Sequence, residues 1–199
     1  MADKLAASSR SHVVLWERVD TTGLEYAEIG ASPVWIAGEA IVRDFASDWA
    51  VSYRIECDHA GVTTRAVARV RRDGVAVERE LLQSSTGVWT VDGIPAPQLS
   101  ACRDADLSIT PSTNTLPIRR LRLPIDGSAE VWAAWLRFPE LDVVPLRQSY
   151  RRTGPMTYDY VAPDYSFRAT IACDADGIVE DYSGLWKRVT AERGSAAGA

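Results

Sequence analysis

The chain has 199 residues, 46% of them apolar and 25% charged, a globular mixture that excludes a disordered, collagen-like or coiled-coil protein. Lys and Arg total 22 against 27 Asp and Glu, for a formal net charge of −5. That balance speaks against a nucleic-acid binder, whose surface carries a basic excess.

Residues 1–11 are small and polar and residues 191–199 run through Gly-Ser-Ala-Ala-Gly-Ala, so both are expected to be disordered tails around one domain over 12–190. Met1 to Arg10 lacks an apolar stretch of signal-peptide length, and no window is apolar enough to span a membrane. The three cysteines, Cys57, Cys102 and Cys173, are odd in number and form no C-x-x-C. A cytoplasmic protein with buried free thiols is the expectation.

Most of the chain alternates apolar and polar residues with period two, the signature of strands. Strands are predicted at 12–18, 24–29 and 34–43. The clearest is 49–57, where Trp49, Val51, Tyr53, Ile55 and Cys57 share one face. Asp58-His59-Ala60-Gly61 is a turn, and 62–70 returns with Val62, Ala66, Ala68 and Val70 on the apolar side. Strands follow at 75–83 and 87–91, then a turn at Asp92-Gly93 and a short helix within 98–106. Thr110-Pro111-Ser112-Thr113 suits a helical turn capped by Thr110.

Segment 115–123 reads as a strand with a defect. Leu116 and Ile118 fall on one face, Leu121 and Leu123 on the other, so burying all four needs a β-bulge at Arg119-Arg120. Strands at 129–138, 142–151, 156–161 and 165–173 complete the series. Under the strand reading both faces of 129–138 are apolar, which places it between two buried layers or on a cavity wall.

The hairpins starting at Trp49 and Tyr165 align at one offset. Cys57-Asp58 matches Cys173-Asp174, and Gly61 matches Gly177. The expectation is an all-β domain with minor helix, made of two tandem repeats (about 12–110 and 111–190). It would form an antiparallel β-roll or barrel with curved sheets, because two halves closing on each other hide edges that one exposes.

Catalytic templates are sparse. No G-x-S-x-G, H-E-x-x-H, P-loop or G-x-G-x-x-G occurs, and Asp174-x-Asp176-Gly177 lacks the closing Glu of a calcium loop. No catalytic residue, metal or cofactor is assigned. The carboxylates Glu25, Asp92, Asp104 and Asp106 keep a hydrolase open as an alternative. Binding groups are better represented. A bulge would aim Arg119 or Arg120 inward, with Asp104 or Asp106 as structural partners, and a guanidinium suits phosphate, carboxylate or sugar hydroxyls. Seven Trp and seven Tyr suit sugar faces and amphiphilic ligands.

The chain resembles a bacterial glycolipid-binding family of uncharacterised proteins. The resemblance covers roughly 12–190. It rests on Leu15-Trp16, Gly23-Leu24-Glu25, Tyr53-Arg54-Ile55-Glu56-Cys57-Asp58, Trp89-x-x-Asp92-Gly93 and Asp104-x-Asp106-Leu107-Ser108. Gln148-x-Tyr150 and the closing Asp174 to Tyr182 segment add to it, and its most specific part is Thr113-Asn114-Thr115-Leu116-Pro117-Ile118-Arg119-Arg120. Ser112 and Ser183 depart from the family pattern, which has an aromatic residue and a proline there. The resemblance implies a duplicated β-roll or barrel whose curved sheet is similar to that of bacterial lipoprotein carriers. The expected function is non-catalytic binding of an amphiphilic small molecule such as a glycolipid. Asn114, Arg119, Arg120, Gln148 and Tyr150 would meet its polar head, and Tyr53, Trp89, Trp132 and Trp135 would supply aromatic surface. A structural or protein-interaction domain is the third reading.

Overall fold

A computed structural model describes residues 11–43, 48–138 and 140–190. Strands β1 (Ser11–Arg18), β2 (Thr22–Ala31), β3 (Val34–Arg43), β4 (Asp48–Cys57), β5 (Thr63–Arg72) and β6 (Val75–Gln83) form an antiparallel meander. The short β7 (Trp89–Val91) and β8 (Ile94–Pro95) extend it. After a 3-10 turn at Pro97–Leu99, β9 (Asp104–Leu107) runs parallel to β10 (Ser128–Leu136). β10 pairs antiparallel with β11 (Val143–Gly154), and β12 (Thr157–Ala162), β13 (Phe167–Cys173), β14 (Val179–Tyr182) and β15 (Trp186–Arg188) continue this second antiparallel meander, with β9 as its parallel edge. The two meet where β15 pairs with β1.

The result is one curved, open sheet with β8 and β9 at its ends. It is mostly β, as the sequence predicts, but it does not close into a barrel. Ser11, expected within the N-terminal tail, belongs to β1. The rest of the two expected tails, 1–10 and 191–199, lies outside the described residues.

Alternation explains the core. Val14 and Trp16 of β1, Ile36 and Val42 of β3, and Val51 and Ile55 of β4 all turn to the buried face. Ala133 and Ala134 are consecutive and both fully buried, so both faces of β10 are covered. Gly38 lies opposite Tyr53 across the β3–β4 ladder, and a Cβ at Gly38 would sit 2.5 Å from the Tyr53 hydroxyl oxygen. The missing side chain is the space that the ring occupies.

Segment 115–123 is not a bulged strand. A 3-10 turn at Ser112–Asn114 leads into α1 (Thr115–Leu121), which ends at Arg122 in the left-handed conformation. Pro117 accounts for the difference. In a central strand it would remove a ladder donor, whereas in the first helical turn its missing N–H has no partner to lose. Leu116 and Ile118 are buried here without any bulge. Thr110 accepts the Ser112 amide at 2.9 Å, a cap-like role, although the residue before the 3-10 turn is Pro111. The helix expected within 98–106 shrinks to Pro97–Leu99, and its second part becomes β9.

The end of α1 is clasped by two turns of the same construction. Asp58 Oδ1 accepts the amides of Ala60 and Val62, and Asp174 Oδ1 those of Asp176 and Ile178. Gly61 and Gly177 both take positive φ. Arg120 lies over Gly61 and Arg119 over Gly177.

Candidate functional site

The segment from Thr110 to Leu121 lies against the buried face of the sheet, and each meander brings a carboxylate to it. On the first, Glu25 of β2 is fully buried. Its Oε1 accepts hydrogen bonds from the Tyr53 hydroxyl and, at 2.5 Å, from Thr110 Oγ1. The Ser112 hydroxyl lies 2.8 Å from that of Tyr53. Glu25 Oε2 is buried without a hydrogen-bond partner. Desolvation outweighs these bonds and pushes the carboxyl up to about 8, so it carries its proton at neutral pH. This corner is packed shut.

On the second meander the arrangement opens. Asp106 of β9 accepts from Thr113 Oγ1 at 2.8 Å and from Gln148 Nε2 at 2.5 Å. Beside it, the Tyr150 hydroxyl donates to Asn114 Oδ1 at 2.8 Å. The Tyr160 ring stands beside that of Tyr150, with centroids 5.1 Å apart, and beside that of Tyr182 at 5.9 Å. Burial raises Asp106 to about 6, less than Glu25. Above this polar floor is a cavity of about 260 Å³. Its walls are mainly apolar and aromatic: Trp135, Leu146, Tyr165, Phe167, Leu185 and Trp186. Trp135 and Tyr165 meet edge to face with centroids 4.8 Å apart. They also border a second, wider groove of about 570 Å³ that carries Arg18, Asp20 and Arg137. Ser108 is likewise shared by the two.

The structure brings only some of the predicted site residues together. Asn114 and Trp135 line the cavity, and Gln148 and Tyr150 form the bonded layer beneath it. Tyr53 belongs to the closed Glu25 corner. Trp89 is buried, with its indole N–H donating to the Cys102 carbonyl, and is core. Trp132 is half-buried on the opposite face of β10 from Val131 and does not line the cavity.

Neither arginine points into the cavity. Arg119 Nε donates to the Asp176 carbonyl at 2.6 Å, and Arg120 makes a two-pronged ion pair with Asp104, one bond at 2.7 Å. Both clamp α1 to the surrounding turns and to β9. Asp106 does not pair with an arginine; hydroxyl and amide donors hold it instead. Reading 115–123 as a strand put the arginines on the wrong side, because the helix carries them to its C-terminal end, between the Asp58 and Asp174 turns. Residue reasoning missed Tyr160, Phe167 and Tyr182 as cavity groups, although their period-two spacing marked the inward face. No group of three or more His, Cys, Asp and Glu able to hold a metal occurs among the described residues. None of the described helices is long and apolar enough to cross a membrane.

Comparison with known proteins fits this architecture. A crystal structure of a DUF1089 family protein from Pseudomonas aeruginosa is similar, with a TM-score of 0.73 and 27% sequence identity, over 95% of this chain and 97% of that one. No curated protein matches. Residues 13–188 match the family described as "Putative glycolipid-binding"; this span holds both meanders, the clasped helix and the cavity, and the chain belongs to that family.

Proposed function

We propose that the protein is a non-catalytic carrier or sensor of an amphiphilic small molecule, glycolipids among them, and that the ligand occupies the aromatic cavity on the second meander. The observation that supports this most directly is the pairing of an apolar, ring-lined wall with one polar floor. Rings take up a sugar face or an alkyl chain without demanding hydrogen bonds. Asp106, Thr110 and Asn114 offer polar atoms to a ligand's head, which would fix its orientation. A fully packed interior, the condition for a purely structural domain, is not what this half of the molecule has. The three buried free thiols support a reducing, cytoplasmic setting. The matched Asp-x-x-Gly turns support an origin by tandem duplication.

Titration with octyl glucoside tests the site. Trp135 and Trp186 line the cavity, so binding is expected to change tryptophan emission. The variant Ala162→Phe, which fills the cavity, is expected to abolish that change while circular dichroism stays native. Equal binding by the filled variant would overturn this location for the site.

A further inference from the structure

The cavity floor carries an imbalance. Asp106 is the one residue lining the cavity whose side chain ionises to a full charge near neutral pH. No Lys, Arg or His among the described residues pairs with it, although its neighbour Asp104 is matched by Arg120. Its protein partners are the Thr113 hydroxyl and the Gln148 amide, which orient the carboxylate but do not neutralise it. Buried carboxylates are normally matched by a cation, and here the open side faces a cavity walled by Trp135, Tyr160, Tyr165, Phe167 and Tyr182. Ring faces attract cations and present no competing donor. Arg18 stacks on Trp186 at 5.2 Å and Arg137 on Trp135 at 5.9 Å, so two of the rings that line this cavity already hold cations.

Resting on the proposed ligand site, we infer that the preferred ligand carries a protonated amine, an ammonium that seats against Asp106 while its apolar part runs along the rings toward the groove. An amino-sugar head and a simple alkylamine share this chemistry. Both give N–H donors to the carboxylate, whereas a neutral sugar gives hydroxyls only and an anionic head is repelled.

Three ligands with one chain length test the inference: octylamine, octyl glucoside and octyl sulfate, each titrated by tryptophan emission. Octylamine is expected to bind at least about tenfold tighter than octyl glucoside, in line with a desolvated charge pair added to ring contacts. Octyl sulfate is expected to bind weakest. Asp106→Asn is expected to remove the preference for the amine and leave glucoside binding nearly intact. Should that variant unfold, wild-type protein still decides the matter. Lowering the pH from about 8 to about 5 protonates Asp106, which burial holds near 6, and is expected to weaken octylamine binding while glucoside binding stays level. The other ionisable groups near Asp106 are Asp104 with Arg120, and the phenols of Tyr150, Tyr160 and Tyr182, which stay neutral over that range. Glu25, behind Thr110, also takes up its proton as the pH falls, and Glu25→Gln protein, titrated alongside, separates its effect. Glucoside binding equal to or tighter than amine binding would overturn the amine preference and leave the cavity reading standing. No binding by any of the three would overturn both.

Discussion

The Glu25 and Asp106 corners are built from nearly the same parts, yet one is sealed and the other is open. Each sets a carboxylate from the sheet among hydroxyls of the 110–114 segment and a tyrosine of its own meander. At Glu25 the Tyr53 ring lies flat over Gly38, Thr110 and Ser112 close in, and nothing remains to be filled. At Asp106 the rings of Tyr160, Phe167 and Tyr182 stand edge to face, about 6 Å apart, and the wall they make faces a void. Burial raises both acids, but the fully enclosed one rises further. The same chemistry thus acts as a structural pin on one side and as a ligand contact on the other, and ring placement decides which.

Cutting the tie that holds α1 over both corners should have the largest effect. Arg120→Ala strands the buried Asp104 carboxylate, and a loss of about 3–5 kcal/mol in urea unfolding is expected. Arg120→Lys, which keeps the charge, should lose clearly less; equal losses would show that the planar fork matters more than the charge. The next effect separates the two acids. Glu25 has a folded pKa above its unfolded one, so the folded state holds the extra proton between about 4.5 and about 8. Its contribution is fully present below that window and is lost as pH rises through it, a matter of a few kcal/mol. Glu25→Gln stays neutral throughout. It should melt well above wild type at pH 8.5 and close to it at pH 5, and identical pH profiles for the two proteins would refute a protonated Glu25. Gly38→Ala pushes into the Tyr53 ring and should cost about 1–3 kcal/mol without changing ligand affinity, because the damage stays in the sealed corner. Reduced affinity would mean that the corners are coupled through Thr110. The smallest effect concerns the thiols: Cys57, Cys102 and Cys173 are buried and burial pushes each to about 12, so reaction with a thiol reagent at pH 8 should await unfolding.

Period-two patterning made the sheet legible before any coordinates, because inward faces such as Trp49 to Cys57 are set by burial alone. The Asp58 and Asp174 turns were equally readable, since carboxylate, spacing and glycine together specify the hydrogen bonds. Two things were not. The helical state of 115–121 is decided by Pro117 and by the sheet face above it, and apolar residues at 116, 118, 121 and 123 fit a strand about as well. The cavity is a matter of how rings pack. Sequence marks Tyr160 and Phe167 as inward, but whether inward aromatic residues fill space or enclose it depends on neighbours contributed by seven different strands. Asn114, Gln148 and Tyr150 were expected at the site through the family resemblance, whose motifs hold them, and not through strand periodicity.

The seam between β1 and β15 has a kinetic consequence. Trp16 pairs with Arg188, and the Trp16 indole donates to the Val179 carbonyl at 2.8 Å. The first described strand therefore waits, during synthesis, for the last. Until β15 arrives, β1 presents an unpaired edge at what becomes the middle of the sheet, and the apolar face around Trp16 lacks its cover. Loop closure over so long a separation makes folding slow compared with a meander of local hairpins. A released chain truncated before Trp186 would thus leave the joining edge of β1 bare, a state open to pairing with a neighbouring copy.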